Sequence, residues 1–209
     1  MNWVSFLDAI YVINLNKRTD RLLQIAEDLE NFEIPFERVA AIEDNNGAQG
    51  LKKTMVGIFE NSLEKGHKNI LVFEDDCLFV TDKNGFHNTM NKVVEQLPER
   101  YIMMFLGCQI CGGATHFVSP NILAGQKMYS THAVMYSERG MKEVLASQLE
   151  GPIDNHYVDK IEPLSSSYCT YPLLCSQRAG HSDIGHAFID WHPFILPKYE
   201  QEINKMRAR

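Results

Sequence analysis

The sequence predicts an α/β fold: a Rossmann-type, mostly parallel sheet flanked by helices, in a single domain. Three observations predict it. Strand-like and helix-like apolar periods alternate along the first half of the chain. The longest apolar runs are strand-length, far short of a membrane span. The 209 residues are 44% hydrophobic and 22% charged, an ordinary globular balance that excludes collagen-like, low-complexity and disordered chains. A chain of this length buries roughly 70% of its unfolded surface and needs no disulfide or metal to fold.

Each element has a local cause. Tyr11-Val12-Ile13-Asn14-Leu15 reads as a buried first strand. Leu22, Ile25, Ala26 and Leu29 recur at helical spacing behind the cap candidates Thr19 and Asp20. Residues 36–42 read as a second strand, and Asp44-Asn45-Asn46-Gly47 is loop chemistry. Leu51, Met55, Ile58, Phe59 and Leu63 outline a second helix, closed by Gly66. Asn69-Ile70-Leu71-Val72-Phe73 is a third strand that runs straight into Glu74-Asp75-Asp76. Phe86, Met90, Val93, Val94 and Leu97 mark a third helix stopped by Pro98, and 102–106 a fourth strand. Residues 107–131, rich in Gly, Ser and Thr, carry no clear period. A strand follows at 132–137 and a helix through Met141, Val144, Leu145 and Leu149, ended by Gly151-Pro152. Short strands and loops are expected after Pro163, and the charged stretch 198–209 is expected to be a peripheral tail.

The formal charge of −7 argues against a sequence-independent nucleic-acid binder, which needs a basic surface to neutralise phosphates. The opening residues lack the charged start and apolar run of a signal peptide. Five cysteines are an odd number, so free thiols in a reducing, cytoplasmic compartment are expected. Cys108 and Cys111 form a CxxC, but Cys169 and Cys175 are too loosely spaced to complete a structural zinc site. No transmembrane segment is expected, while peripheral membrane association and the oligomeric state stay open.

Parallel sheets bind ligands outside the carboxyl ends of their strands. Two polar clusters fall at such ends. Glu74, Asp75 and Asp76 repel one another, a cost that a hard divalent cation such as Mn²⁺ or Mg²⁺ removes; the plain alternative is a solvated strand-capping turn. Lys17, Arg18 and Arg21 sit beside a helix start, where an arginine can hold a diphosphate; taken alone they read better as helix-surface charge. Together the clusters outline a site for a metal–nucleotide diphosphate. The sequence has no Gly-rich Walker loop, which argues against a P-loop NTPase.

These residues resemble glycosyltransferase family 25, the lipooligosaccharide and procollagen galactosyltransferase group. Val12-Ile13-Asn14-Leu15-Asn16-Lys17-Arg18-Thr19-Asp20-Arg21 resembles the family's opening, and Leu71-Val72-Phe73-Glu74-Asp75-Asp76 its metal motif. Phe105-Leu106-Gly107, Thr131 to Tyr136 with Gly140, Pro152-Ile153-Asp154, Gln177 and Ser182-Asp183-Ile184 resemble later elements in family order. Residues 48–54 depart from the Gly-Cys…Ser-His element that many members carry before the metal strand.

The resemblance implies a GT-A fold, a UDP-galactose or UDP-glucose donor, Mn²⁺ dependence and inverting transfer to a glycan or other hydroxyl acceptor, as in lipopolysaccharide biosynthesis. It divides the chain into a nucleotide-binding half, about 1–106, and an acceptor-side half, about 107–195. Asp76, with Asp75 or Glu74, is the expected metal holder, and His181 or His186 would complete the shell. Arg18 and Arg21 would hold the nucleotide, with Asn14 and Leu15 lining the base or ribose. Asp154 is the first choice of general base and Asp183 the second, although Asp154 could equally cap a helix. His132 and His156 are acceptor-side candidates. The alternatives are a catalytically silent glycan- or partner-binding module, a metal-dependent nucleotidyltransferase, and a Cys–His hydrolase built on Cys77.

Overall fold

A computed structural model describes residues 2–208. Its centre is a sheet of β1 (Ala9–Asn14), β2 (Glu37–Ala40), β3 (Asn69–Glu74), β5 (Met103–Phe105), β6 (Gln109–Ser119), β7 (Ile122–Tyr129), β8 (Ala133–Ser137) and β9 (Ser167–Thr170), in the order β2-β1-β3-β8-β5-β9-β7-β6. Six of these eight strands run the same way, with β8 and β7 reversed. Helices α1 (Trp3–Phe6), α2 (Thr19–Asn31) and α4 (Lys83–Gln96) flank the sheet, as do α3 (Gly47–Glu64), α5 (Glu138–Ala146) and α7 (His192–Arg207). A short α6 (Ile153–His156) follows α5, and β4 (Cys77–Phe79) pairs with β10 (Cys175–Gln177) beside the main sheet. The two-residue strands β11 (Gly180–His181) and β12 (Phe188–Ile189) pair across a late loop.

The two-residue period of the strands builds two cores. Tyr11 and Ile13 pack with Met55 and Phe59 of α3 and Met141 of α5, whereas Ile10 and Val12 pack with Ile25 of α2 and Phe86 of α4. Ile70 and Val72 of β3 lie on the α3 side and Leu71 and Phe73 on the α2 side. The same alternation carries Glu74 to the α3 side.

The connections place the site. From β1 the chain crosses through α2 to β2 on one side, then returns through α3 to β3 on the other. The strand order therefore reverses between β1 and β3, where an open α/β sheet leaves a crevice. In register, Ile13 is paired with Glu74 and Asn14 with Ala40, so all three strand ends open on this crevice.

Two regions depart from the sequence expectation. Residues 109–129 form a long antiparallel hairpin, β6–β7, whose register shifts three times between Ile110 and Ser119. Of the stretch 198–209, expected to be peripheral, residues 198–207 instead continue α7, and Tyr199 and Ile203 are fully buried against the core; Arg209 lies outside the described residues. No helix among the described residues is long and apolar enough to cross a membrane.

Candidate active site

The acidic strand end is held from several elements. Asp75 and Asp76 are each only 8% exposed. Asn14, at the end of β1, donates from Nδ2 to Asp75 Oδ2 at 2.8 Å and to the Arg18 carbonyl at 2.9 Å. Arg21 Nη1 donates to Asp75 Oδ1 at 3.0 Å and to Asp76 Oδ2 at 3.1 Å. Gln177 Nε2 donates to the same Asp76 oxygen at 3.0 Å, and the Arg178 N–H donates to the Asp76 carbonyl at 2.7 Å. Asp76 Oδ1 is buried and accepts no hydrogen bond. A buried carboxylate oxygen without a partner is costly unless a ligand or ion completes it.

The basic cluster holds the late loop down over this turn. Arg18 Nη1 donates to Asp183 Oδ2 at 2.6 Å and to the His181 carbonyl at 3.0 Å, and Arg21 Nη2 reaches that carbonyl at 2.7 Å. Lys17 lies 3.5 Å from Asp183 Oδ1 and 2.6 Å from Glu43. Gly47 lets the loop approach α3, because a Cβ there would sit 2.7 Å from the Asp183 carbonyl oxygen. Burial alone would push Asp183 up, but Arg18 and Lys17 outweigh it and hold the carboxyl below its ordinary range.

Glu74 stands between two cavities. On one side is a cleft of about 680 Å³, lined among others by Asn14, Leu15, Lys17, Arg21, Asp75 and Asp76. On the other is a pocket of about 410 Å³, lined among others by Gln109, Tyr129, Thr131, Asp154 and Trp191. Glu74 and Gln177 line both. Burial, reinforced by Asp76, raises Glu74 to about 8, although Thr131 Oγ1 donates to its Oε1 at 2.6 Å and opposes the shift. Asp75 is also raised, by burial first, with the Asn14 hydrogen bond working against it. His132 is buried beneath the pocket and lowered to about 4 by desolvation, so its imidazole is neutral. Gly107, at the end of β5, is required here, since a Cβ would fall 1.9 Å from the Cys175 carbonyl oxygen and 2.6 Å from His132 Nε2.

The structure brings Asn14, Leu15, Arg21, Glu74, Asp75, Asp76 and Asp183 around one cleft. Arg18 faces a neighbouring cavity of about 580 Å³ behind the late loop, together with Arg178 and His181. Asn14, expected to touch base or ribose, turns its buried side chain to Asp75. Arg18 and Arg21, expected to hold phosphate, are engaged with carboxylates. His181 offers its carbonyl to the arginines while its exposed ring packs edge-on to Phe188, 5.9 Å between centroids. His186 is exposed at the cleft rim. Asp154 does not cap α6, whose N-cap is Pro152; it sits in the first turn and lines the smaller pocket. His156 is structural: its ring bonds Ser147 Oγ at 2.7 Å and accepts from the Glu150 N–H at 3.2 Å.

Sequence reasoning missed Thr131 as the partner of Glu74, Arg38, which donates to Asn14 Oδ1 at 3.1 Å, and Trp191. All five cysteines are free; Cys77 is fully buried and its thiol is pushed well above the ordinary range by desolvation, the opposite of a hydrolase nucleophile.

Among the described residues, no three His, Cys, Asp or Glu side chains converge as a ready-made metal ligand set. The acidic turn nonetheless fits a hard cation through Asp76 Oδ1, an orphaned buried carboxylate oxygen beside a second carboxylate.

No protein-family model matches this chain, and no curated protein matches it. Solved structures do. Mannose-1-phosphate geranyltransferase from Thermus thermophilus is similar over 77% of this chain, with 10% identity and a TM-score of 0.45. This chain spans 58% of that protein's length. A197 from STIV is similar over 87% of this chain and 92% of its own, with 10% identity and a TM-score of 0.44. A glycosyltransferase involved in the glycosylation of the major capsid of PBCV-1 is similar over 77% of this chain and 81% of its own, with 13% identity and a TM-score of 0.47.

Proposed function

We propose that the chain is an inverting, metal-dependent glycosyltransferase of the family 25 type, which moves a hexose from UDP-galactose or UDP-glucose to a hydroxyl acceptor. One observation carries this reading. Glu74, at the acidic strand end, is a wall shared by two cavities, one with Lys17 and Arg21 among further carboxylates on its lining and one with Asp154 and, among the described residues, no lysine or arginine. A transfer reaction needs such an arrangement, because donor and acceptor must meet across a single point.

The larger cleft takes the UDP-sugar. Asp76 with Asp75 or Glu74 would hold Mn²⁺ or Mg²⁺, which would supply positive charge for the diphosphate leaving group. Lys17 and Arg21, each paired with carboxylates, are the cations on the same wall. The acceptor hydroxyl oxygen attacks the anomeric carbon, the bond from that carbon to the diphosphate oxygen breaks, and UDP leaves with the electron pair. Asp154 takes the hydroxyl proton on Oδ2, since its Oδ1 already accepts from the Asn155 N–H at 2.9 Å.

Isothermal titration with a small UDP-sugar panel, with and without Mn²⁺, tests the reading. Metal-dependent binding of a UDP-sugar and release of UDP support it, and no binding to any nucleotide overturns it. A second reading, a silent glycan-binding module, is favoured by Arg21, which already neutralises Asp75 and Asp76. Such a module releases no free UDP from a UDP-sugar with Mn²⁺ present.

A further inference from the structure

We propose that the pocket on the Asp154 side of Glu74 selects an uncharged sugar as acceptor, with one face of the sugar ring laid on the indole of Trp191. The inference rests on the reading of the chain as a glycosyltransferase and names the chemistry of its second substrate.

The lining decides the charge. The pocket of about 410 Å³ presents the acidic residues Glu74 and Asp154 and, among the described residues, no lysine or arginine. A phosphate or carboxylate placed there meets the Asp154 carboxylate, with no lysine or arginine on the described lining to offset it. The cleft across Glu74 differs in carrying two cations, Lys17 and Arg21, among its carboxylates. An anionic group is therefore rejected on the Asp154 side.

The remaining lining decides the shape. Gln109, Tyr129, Thr131 and Gln177 supply amide and hydroxyl groups that suit a ligand with many hydroxyls. Trp191 is 40% exposed, and its ring meets Phe194 edge-on at 6.1 Å, which gives the indole a side support. A pyranose has an apolar face of C–H groups and a polar rim. An exposed indole beside carboxylates and amides matches both parts of that ring. Pro152, Ile153, Ile184 and Ile189 add apolar surface to the same pocket and no charge.

Ligand-observed saturation-transfer NMR on the full chain saturated with UDP and Mn²⁺ tests the proposal. The probes are the neutral methyl glycosides of glucose, galactose and mannose, set against methyl glucuronide and galactose 6-phosphate. The expected result is binding of at least one neutral glycoside, with both acidic sugars at least about tenfold weaker. Trp191→Ala should weaken the neutral glycoside by about tenfold, the size of a buried aromatic contact, while UDP affinity reports that the variant is folded. Gln109→Lys should narrow or reverse the preference against galactose 6-phosphate. Equal or tighter binding of the acidic sugars to the unaltered protein, no binding of any neutral glycoside, or neutral-glycoside binding indifferent to Trp191→Ala overturns the proposal. Failure of UDP itself to bind overturns the glycosyltransferase reading instead, so the two failures are told apart.

Discussion

The two sides of Glu74 are built differently. The cleft side has at its centre two contiguous runs, residues 14–21 and 74–76, brought together because β1 and β3 are adjacent and parallel, with residues 41–47 and the late loop around them. Besides Glu74, the pocket side draws on α3, β6, the end of β7, the first turn of α6, β10 and the residue before α7, so its members span Ala48 to Trp191. One side is dense in paired charge, where Arg21 bridges Asp75 and Asp76. The other has Glu74 and Asp154 and, among the described residues, no lysine or arginine on its lining. The difference teaches that a short acidic motif can serve two sites at once, with the specificity of each set by what faces it.

The largest expected effect breaks the cleft side. Asp76→Ala should lower metal-dependent UDP-sugar turnover by about 10³-fold or more, since it removes charge stabilisation that acts on the leaving group. Its circular dichroism spectrum should keep its shape. Full activity in this variant would sink the metal assignment and remove the reason for contrasting the two sides.

The next effect sharpens the pocket side. Asp154→Asn keeps the shape of the residue and removes its capacity to take a proton, so kcat should fall by about 10²- to 10⁴-fold while UDP-sugar affinity is retained. If donor affinity is lost and kcat kept, Asp154 belongs to the donor site and the division at Glu74 is wrongly drawn.

How much of this was legible follows from the same contrast. Val12-Ile13-Asn14 and Leu71-Val72-Phe73-Glu74 announce themselves, because strands buried on both faces read as unbroken apolar runs and the polar residue that ends them marks the sheet edge. What Arg18 and Arg21 hold was not legible, since the partners Asp183 and Asp75 lie 165 and 54 residues away. The β6–β7 hairpin escaped because Gly112, Gly113 and three register shifts erase its two-residue alternation. The α7 helix was hidden by Lys198, Glu200, Glu202 and Lys205, although Ile195, Tyr199 and Ile203 recur every four residues and are all buried. Trp191 had no local signal at all; its role comes from its neighbours in space.

A smaller effect probes the bridge across the cleft. Arg21 is mostly buried, with 12% side-chain exposure, and its loss leaves Asp75 and Asp76 facing each other. Arg21→Gln should cost about 3 kcal/mol in the metal-free protein and lower its Tm by roughly 5–10 °C. Added Mn²⁺ should restore more degrees to this variant than it adds to the unaltered protein, because a cation then fills a charge deficit. Equal Mn²⁺ shifts in both proteins would mean that Arg21 and the metal do not share the carboxylates.

The smallest effect tests the wall itself. Glu74 titrates near 8 in the folded chain because burial and Asp76 disfavour its charge, whereas an unfolded glutamate titrates near 4.5. Between those values the folded state holds a proton that the unfolded state has released, so stability falls as pH rises across this window and levels off above it. Glu74→Gln removes the titrating group and keeps an oxygen to accept from Thr131, whose hydroxyl lies 2.6 Å from Glu74 Oε1. The metal-free variant should therefore match the unaltered protein near pH 4.5 and exceed it by several degrees in Tm at about pH 9. A difference that stays constant with pH would show that Glu74 is already ionised in the folded chain, and the wall between the cavities would then carry a full negative charge at neutral pH.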